Sequence, residues 1–78
     1  MITAADILKV IAEHLTINPE DLEKDALLRE DLNLGPIQLN DLLHELSEKF
    51  DVAIRPEEVE KLETVDDLVV LIEDNLIG

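Results

Sequence analysis

The chain has no cysteine, tryptophan or tyrosine, and its only aromatic residue is Phe50. Without thiols there is no disulfide framework, no thiolate nucleophile and no cysteine-held zinc. Without large rings the core must be built from Leu, Ile, Val and Ala, so it should be adaptable. Positive charge is scarce too: six Lys and Arg stand against twenty Asp and Glu, for a formal net charge of −14. That field repels nucleic-acid phosphates and anionic lipid headgroups, which argues against both as partners, and it attracts proteins with basic patches. Met1-Ile2-Thr3-Ala4-Ala5-Asp6 has no basic segment, and no long apolar run follows it. No signal peptide or membrane span is read, and the expected location is the cytoplasm. His14 and His44 share no metal-ligand spacing, and neither sits in a recognisable triad arrangement, so both read as ordinary surface residues and the chain as non-enzymatic.

What is present is an aliphatic, charged chain of 78 residues, 46% hydrophobic and 33% charged. That suits one folded domain, residues 1–78, with a modest core. Ala4, Ile7, Leu8, Ile11 and Leu15 fall at i, i+3, i+4, i+7 and i+11. Leu39, Leu42, Leu43, Leu46 and Phe50 repeat the spacing, as do Val65, Leu68, Val69, Ile72 and Leu76. Each set marks one face of an α-helix, and none alternates as a strand would.

Start signals support the same helices. Thr3 with Asp6 and Thr64 with Asp67 have capping-box spacing, and Pro36 after Gly35 suits a helix that begins on proline. Asn18-Pro19-Glu20-Asp21 and Arg55-Pro56-Glu57-Glu58 signal shorter turns. The expected map is all-α, with helices over 4–15, 36–50, a short 56–61 and 65–76, and a long connection over 16–35. Ile17, Leu22, Leu27, Leu28, Leu32 and Leu34 lie in that connection, so it should pack over the bundle as an ordered loop. No stripe is stable alone in water, and packing three around one axis buries them all.

Glu30-Asp31-Leu32-Asn33-Leu34, a helix-starting tripeptide and then Leu42 to Phe50 resemble the centre of acyl carrier proteins. Asn18-Pro19-Glu20-Asp21-Leu22, Ile54-Arg55-Pro56-Glu57-Glu58 and Thr64-Val65-Asp66-Asp67-Leu68 extend the likeness over nearly the whole chain. The resemblance implies a four-helix bundle with a long first loop. It also implies an Asp-Ser-Leu at the head of the second helix, where the serine hydroxyl is joined to 4′-phosphopantetheine. Here the three positions read Gly35-Pro36-Ile37. Pro36 has no hydroxyl, so no phosphodiester can form there and no cofactor is expected. Serine and preceding acid are both gone, which favours a natural variant that has left the carrier role. Ser47, the only serine, lies eleven residues on, about 16 Å along the helix at 1.5 Å per residue. Thr3, Thr16 and Thr64 are also remote from the helix head.

By the same resemblance, partners dock on acids of the second helix. Asp41, Glu45 and Glu48 share one face, and Leu34 and Ile37 would form an apolar tip near its start. The expectation is a monomeric interaction module for a basic-patch partner such as a thioester-metabolism enzyme. The alternatives are a genuine carrier modified at another hydroxyl, and an acidic calcium or free-acyl binder. Counted from Asp31 or from Asp51, the chain fails the calcium-loop pattern, which leaves only weak surface binding by pairs such as Glu57-Glu58 or Asp66-Asp67.

Overall fold

The three apolar stripes each fold as a helix and turn toward one another. A computed structural model describes residues 2–76. Helix α1 spans Ala4–Leu15, α2 Pro36–Phe50, the short α3 Pro56–Val59 and α4 Val65–Leu76. Bounds of α1, α2 and α4 agree with the sequence reading. Helix α3 stops two residues early, because Lys61 and Leu62 donate to the carbonyls of Glu58 and Val59, three residues back, and tighten the last turn. Pro19–Asp21 form one 3₁₀ turn, in which the Asn18 side chain makes no capping bond.

Ile7 and Ile11 from α1, Leu42 and Leu46 from α2, and Leu68 and Ile72 from α4 have no exposed surface. Burying each contributes on the order of 2 kcal/mol. Helix α1 packs on both α2 and α4, and these two also touch. Ala12, also fully buried, joins the core although it lies off the expected stripe, as does Leu71.

The long connection closes the bundle. Leu22, Leu28 and Leu34 are buried, whereas Leu27 and Leu32 are half-buried and Ile17 is exposed. The expectation that all six are buried is therefore corrected: Ile17 follows the turn that ends α1 and points away from the core. Residues 24–28 pair with the link between α3 and α4. The amide of Leu28 donates to the Glu63 carbonyl at 2.9 Å, that of Val65 to Ala26 at 3.0 Å, and that of Asp66 to Lys24 at 2.8 Å. These bonds satisfy backbone groups that would otherwise be stranded beside the core. On the other side of the link, Asn75 of α4 donates to the Leu71 carbonyl and reaches Glu58 of α3 at 3.4 Å.

Both expected capping boxes form. Asp6 and Thr3 exchange amide bonds at the head of α1, and Asp67 and Thr64 do so at the head of α4. The amide of Thr64, then that of Glu63, holds the Asp67 carboxyl below the ordinary carboxylate pKa. A carboxyl depressed by folding adds stability above its unfolded pKa of about 4, and this is lost as pH falls through the lower folded value. Asp67→Asn is therefore expected to lower stability at neutral pH by about 0.5–1 kcal/mol, with the deficit vanishing in strong acid. Urea unfolding of both proteins across pH checks this.

Helices α1 and α2 end without glycine. Thr16 and Asp51 take the left-handed conformation, at φ 58° and 54°. The next amides, of Ile17 and Val52, donate to Ala12 and Ser47 five residues back. This is the hydrogen-bond pattern in which glycine is preferred. A β-branched residue is the more strained of the two occupants. Thr16→Gly is expected to raise stability by about 0.5–1 kcal/mol, the relief being partly offset by a freer unfolded chain. Urea unfolding at neutral pH reads this directly.

Candidate functional site

The head of α2 is where the sequence departs from the pattern it resembles. Gly35 is the N-cap, with φ −76° and ψ 176°, and Pro36 is the first helical residue. No side chain caps the first amides, and the first turn holds no acid. Pro36 is suited to the place because its ring presets helical φ and its missing N–H would be unpaired anyway. Ile37 projects into solvent, 75% exposed, the most exposed large apolar side chain described.

Leu34 does not join it. Its side chain is 5% exposed and belongs to the core, and its amide donates to the Leu28 carbonyl at 3.0 Å. The apolar tip read from the sequence is thus corrected to Pro36 and Ile37. Adjacency to the helix head placed Leu34 there, but the turn over 27–34 rotates it inward. That turn is braced by Asp31, whose carboxylate accepts from the Leu27 amide at 2.8 Å, and by Asn33 in the left-handed region, which Asn tolerates.

Beyond the tip, Asp41, Glu45 and Glu48 do lie along one side of α2, but in three different settings. Asp41 is exposed. Glu45 is half-buried and bonded to His14 Nδ1 across the α1–α2 contact at 3.0 Å. Glu48 is exposed and meets His44 Nε2, one turn back, at 2.8 Å. The reading of both histidines as ordinary surface residues therefore fails for His14, whose side chain is 24% exposed. Its signal in the sequence was slight: a polar residue beside Leu15 at the last turn of an amphipathic helix.

No hydroxyl lies at the head of α2, and the four that the sequence contains are bonded to nearby backbone. Thr3 and Thr64 cap their helices, Thr16 Oγ1 donates to the Leu15 carbonyl at 2.6 Å, and Ser47 Oγ donates to the His44 carbonyl at 2.8 Å. Residues present at the helix head thus do not fit a phosphodiester-linked group.

An open groove of about 500 Å³ runs between α2 and α3, lined mainly by Leu43, Val52, Ile54, Pro56 and Val59, with Ser47 and His44 on its α2 side. None of its lining residues is Lys or Arg. Sequence periodicity gave no sign of this opening. Among the described residues no helix is long and apolar enough to cross a membrane, and no cluster of three His, Cys, Asp or Glu is placed to hold a metal ion.

Residues 5–72 match the family described as the phosphopantetheine attachment site. The acyl carrier protein of Wolinella succinogenes is 40% identical over 70 residues, which cover 90% of this chain and 92% of that protein. The acyl carrier protein of Helicobacter hepaticus is 35% identical over 75 residues, 96% of this chain and 99% of its own. That of Chlamydia trachomatis serovar L2 is 34% identical, with coverage of 90% and 91%. A match of this extent, on an all-helical bundle with the order and loop described above, shows that the chain belongs to the acyl carrier protein family.

Proposed function

We propose that residues 1–78 form a single, monomeric, cytoplasmic carrier-like domain that docks on a basic surface of an acyl- or thioester-handling enzyme without bearing a phosphopantetheine arm at the head of α2. One observation carries the reading: Gly35-Pro36-Ile37 provides no oxygen where the family resemblance puts the attachment serine. The docking part rests on charge. A −14 chain with Asp41, Glu45 and Glu48 along one helix side, and Ile37 exposed beside them, complements a cationic and partly apolar surface. Ile37 supplies the apolar contact, and the acids supply long-range attraction that salt should weaken.

A second reading is favoured by the comparisons, and at least as strongly: the relatives are named acyl carrier proteins and the matching family is described by its attachment site. On that reading the chain is a working carrier modified at another hydroxyl. Ser47 is the nearest on α2, yet it sits half-buried beside the groove with its oxygen turned to the His44 carbonyl. A free fatty acid in the groove is the weakest reading, since its carboxylate would meet strong negative charge and no lining cation.

Mass spectrometry after incubation with coenzyme A, magnesium and a broad phosphopantetheinyl transferase separates the readings. The chain is expected to keep its mass, and a gain of phosphopantetheine would establish the second reading. Gly35→Asp with Pro36→Ser is expected to accept the group. The scaffold should tolerate the pair: a Cβ at Gly35 lies 2.7 Å from Gln38 Oε1, the far end of a flexible side chain that can swing aside. Aspartate at that N-cap should by itself add a few tenths of a kcal/mol, measured by urea unfolding.

A further inference from the structure

Helix α4 starts on carbonyls that belong to another segment. The leading amides of a helix have no partner inside it. At α4, the amides of Thr64 and Asp67 are taken within the capping box. Those of Val65 and Asp66 instead donate to Ala26 and Lys24, at 3.0 and 2.8 Å. In α1, whose capping box uses the same residue types, no carbonyl among the described residues accepts from Ala4 or Ala5. The first turn of α4 is therefore completed only while residues 24–26 lie against it.

The same segment holds the head of α2. Leu28 donates its amide to Glu63 at 2.9 Å, and its own carbonyl accepts the Leu34 amide at 3.0 Å. Gly35 follows directly and caps α2 with no side-chain bond. The first backbone bond of α2, from the Leu39 amide to the Gly35 carbonyl at 2.9 Å, thus begins on a residue that the loop positions.

Little else secures this assembly. Helix α3 contributes no buried side chain, and its polar tie to α4 is the 3.4 Å contact of Asn75 with Glu58. Val59 and Leu62 are half-buried, which leaves Leu28 and Val65 as the closely packed anchors. Ile11, Leu46 and Ile72, by contrast, are fully buried where α1, α2 and α4 pack on one another. Sparse burial is the mark of a segment that opens ahead of the whole.

We propose that residues 24–34 and 60–66 form a latch that opens while the bodies of α1, α2 and α4 stay packed, and that its state sets the order of the α2 head. Closed, the latch completes the first turn of α4 and fixes Gly35 ahead of Pro36 and Ile37. Open, it gives the Val65 and Asp66 amides to solvent and releases Leu34, so the α2 head loses its fixed bearing. The α3–α4 link is thereby a control point for a surface it does not itself form.

Amide hydrogen exchange of the full chain, read by NMR at neutral pH without denaturant and in low urea, tests this. The amides of Leu28, Leu34, Leu39, Val65 and Asp66 are expected to share one protection factor, at least about tenfold below those of Ile11, Leu46 and Ile72, and to respond little to urea. Thr64→Ala removes the hydroxyl that accepts from the Asp67 amide, and should speed exchange at all of the latch amides by about fivefold, Leu34 and Leu39 included. Latch amides exchanging at the rate of the core amides overturn the proposal, because the molecule then opens only as a whole. Leu34 and Leu39 exchanging apart from Val65 and Asp66, or keeping their rates in Thr64→Ala, show that the two helix heads are not joined and overturn it equally.

Discussion

The short antiparallel pairing between residues 24–28 and the α3–α4 link is the constraint on which the rest of the molecule leans. Three amphipathic helices could pack in several ways around an aliphatic core that has no large ring at its centre. What selects one arrangement is a backbone contact: Leu27 opposite Thr64, with amide bonds on either side. It draws Leu28 to 1% exposure among the helices and sets the path of the turn that follows. That turn buries Leu34 and delivers Gly35 and Pro36 to the surface. Exposure of Ile37 and the sidedness of α2 follow from it. The head of α2 is thus positioned in part by the α3–α4 link, far from it in the chain.

The proposed docking surface combines a chemical lack with an electrostatic excess. The head of α2 starts well as a helix, on an extended Gly35 and a preorganised Pro36, and has no nucleophilic or esterifiable atom. Helix formation and group attachment are separate demands on the same position, and this chain meets the first. The acids beyond it are not equivalent. Asp41 is free to meet solvent, Glu45 is drawn toward α1 by His14, and Glu48 is engaged along its own helix by His44. A row of three like charges in the sequence is a graded set in the fold, one open and two partnered.

How much of this was legible in the sequence depended on the range of the interaction. Helices α1, α2 and α4 were readable to the residue because stripe and start signal are both local, and Thr3–Asp6 and Thr64–Asp67 act within one turn. The end of α3 was not, since a four-residue helix is decided by which carbonyl each amide selects. Ile17 and Leu34 were misplaced in opposite senses: hydropathy alone put Ile17 under cover and adjacency to the helix head put Leu34 at an exposed tip, whereas only tertiary pairing says which way the loop turns. The half-burial of His14 and the α2–α3 groove depend on how two helices lie against each other, which periodicity does not encode. The family likeness was legible because it lies in short local strings, and so was the absence of a hydroxyl at its centre.

Leu27 and Thr64 stand almost half the chain apart. The contact that orders the head of α2 therefore carries the loop-closure entropy of everything between them, including α2 itself. Local opening at the α3–α4 link would loosen the loop and the surface it presents as one cooperative unit. A protein that gripped α3 could in this way be felt at Pro36 without touching it.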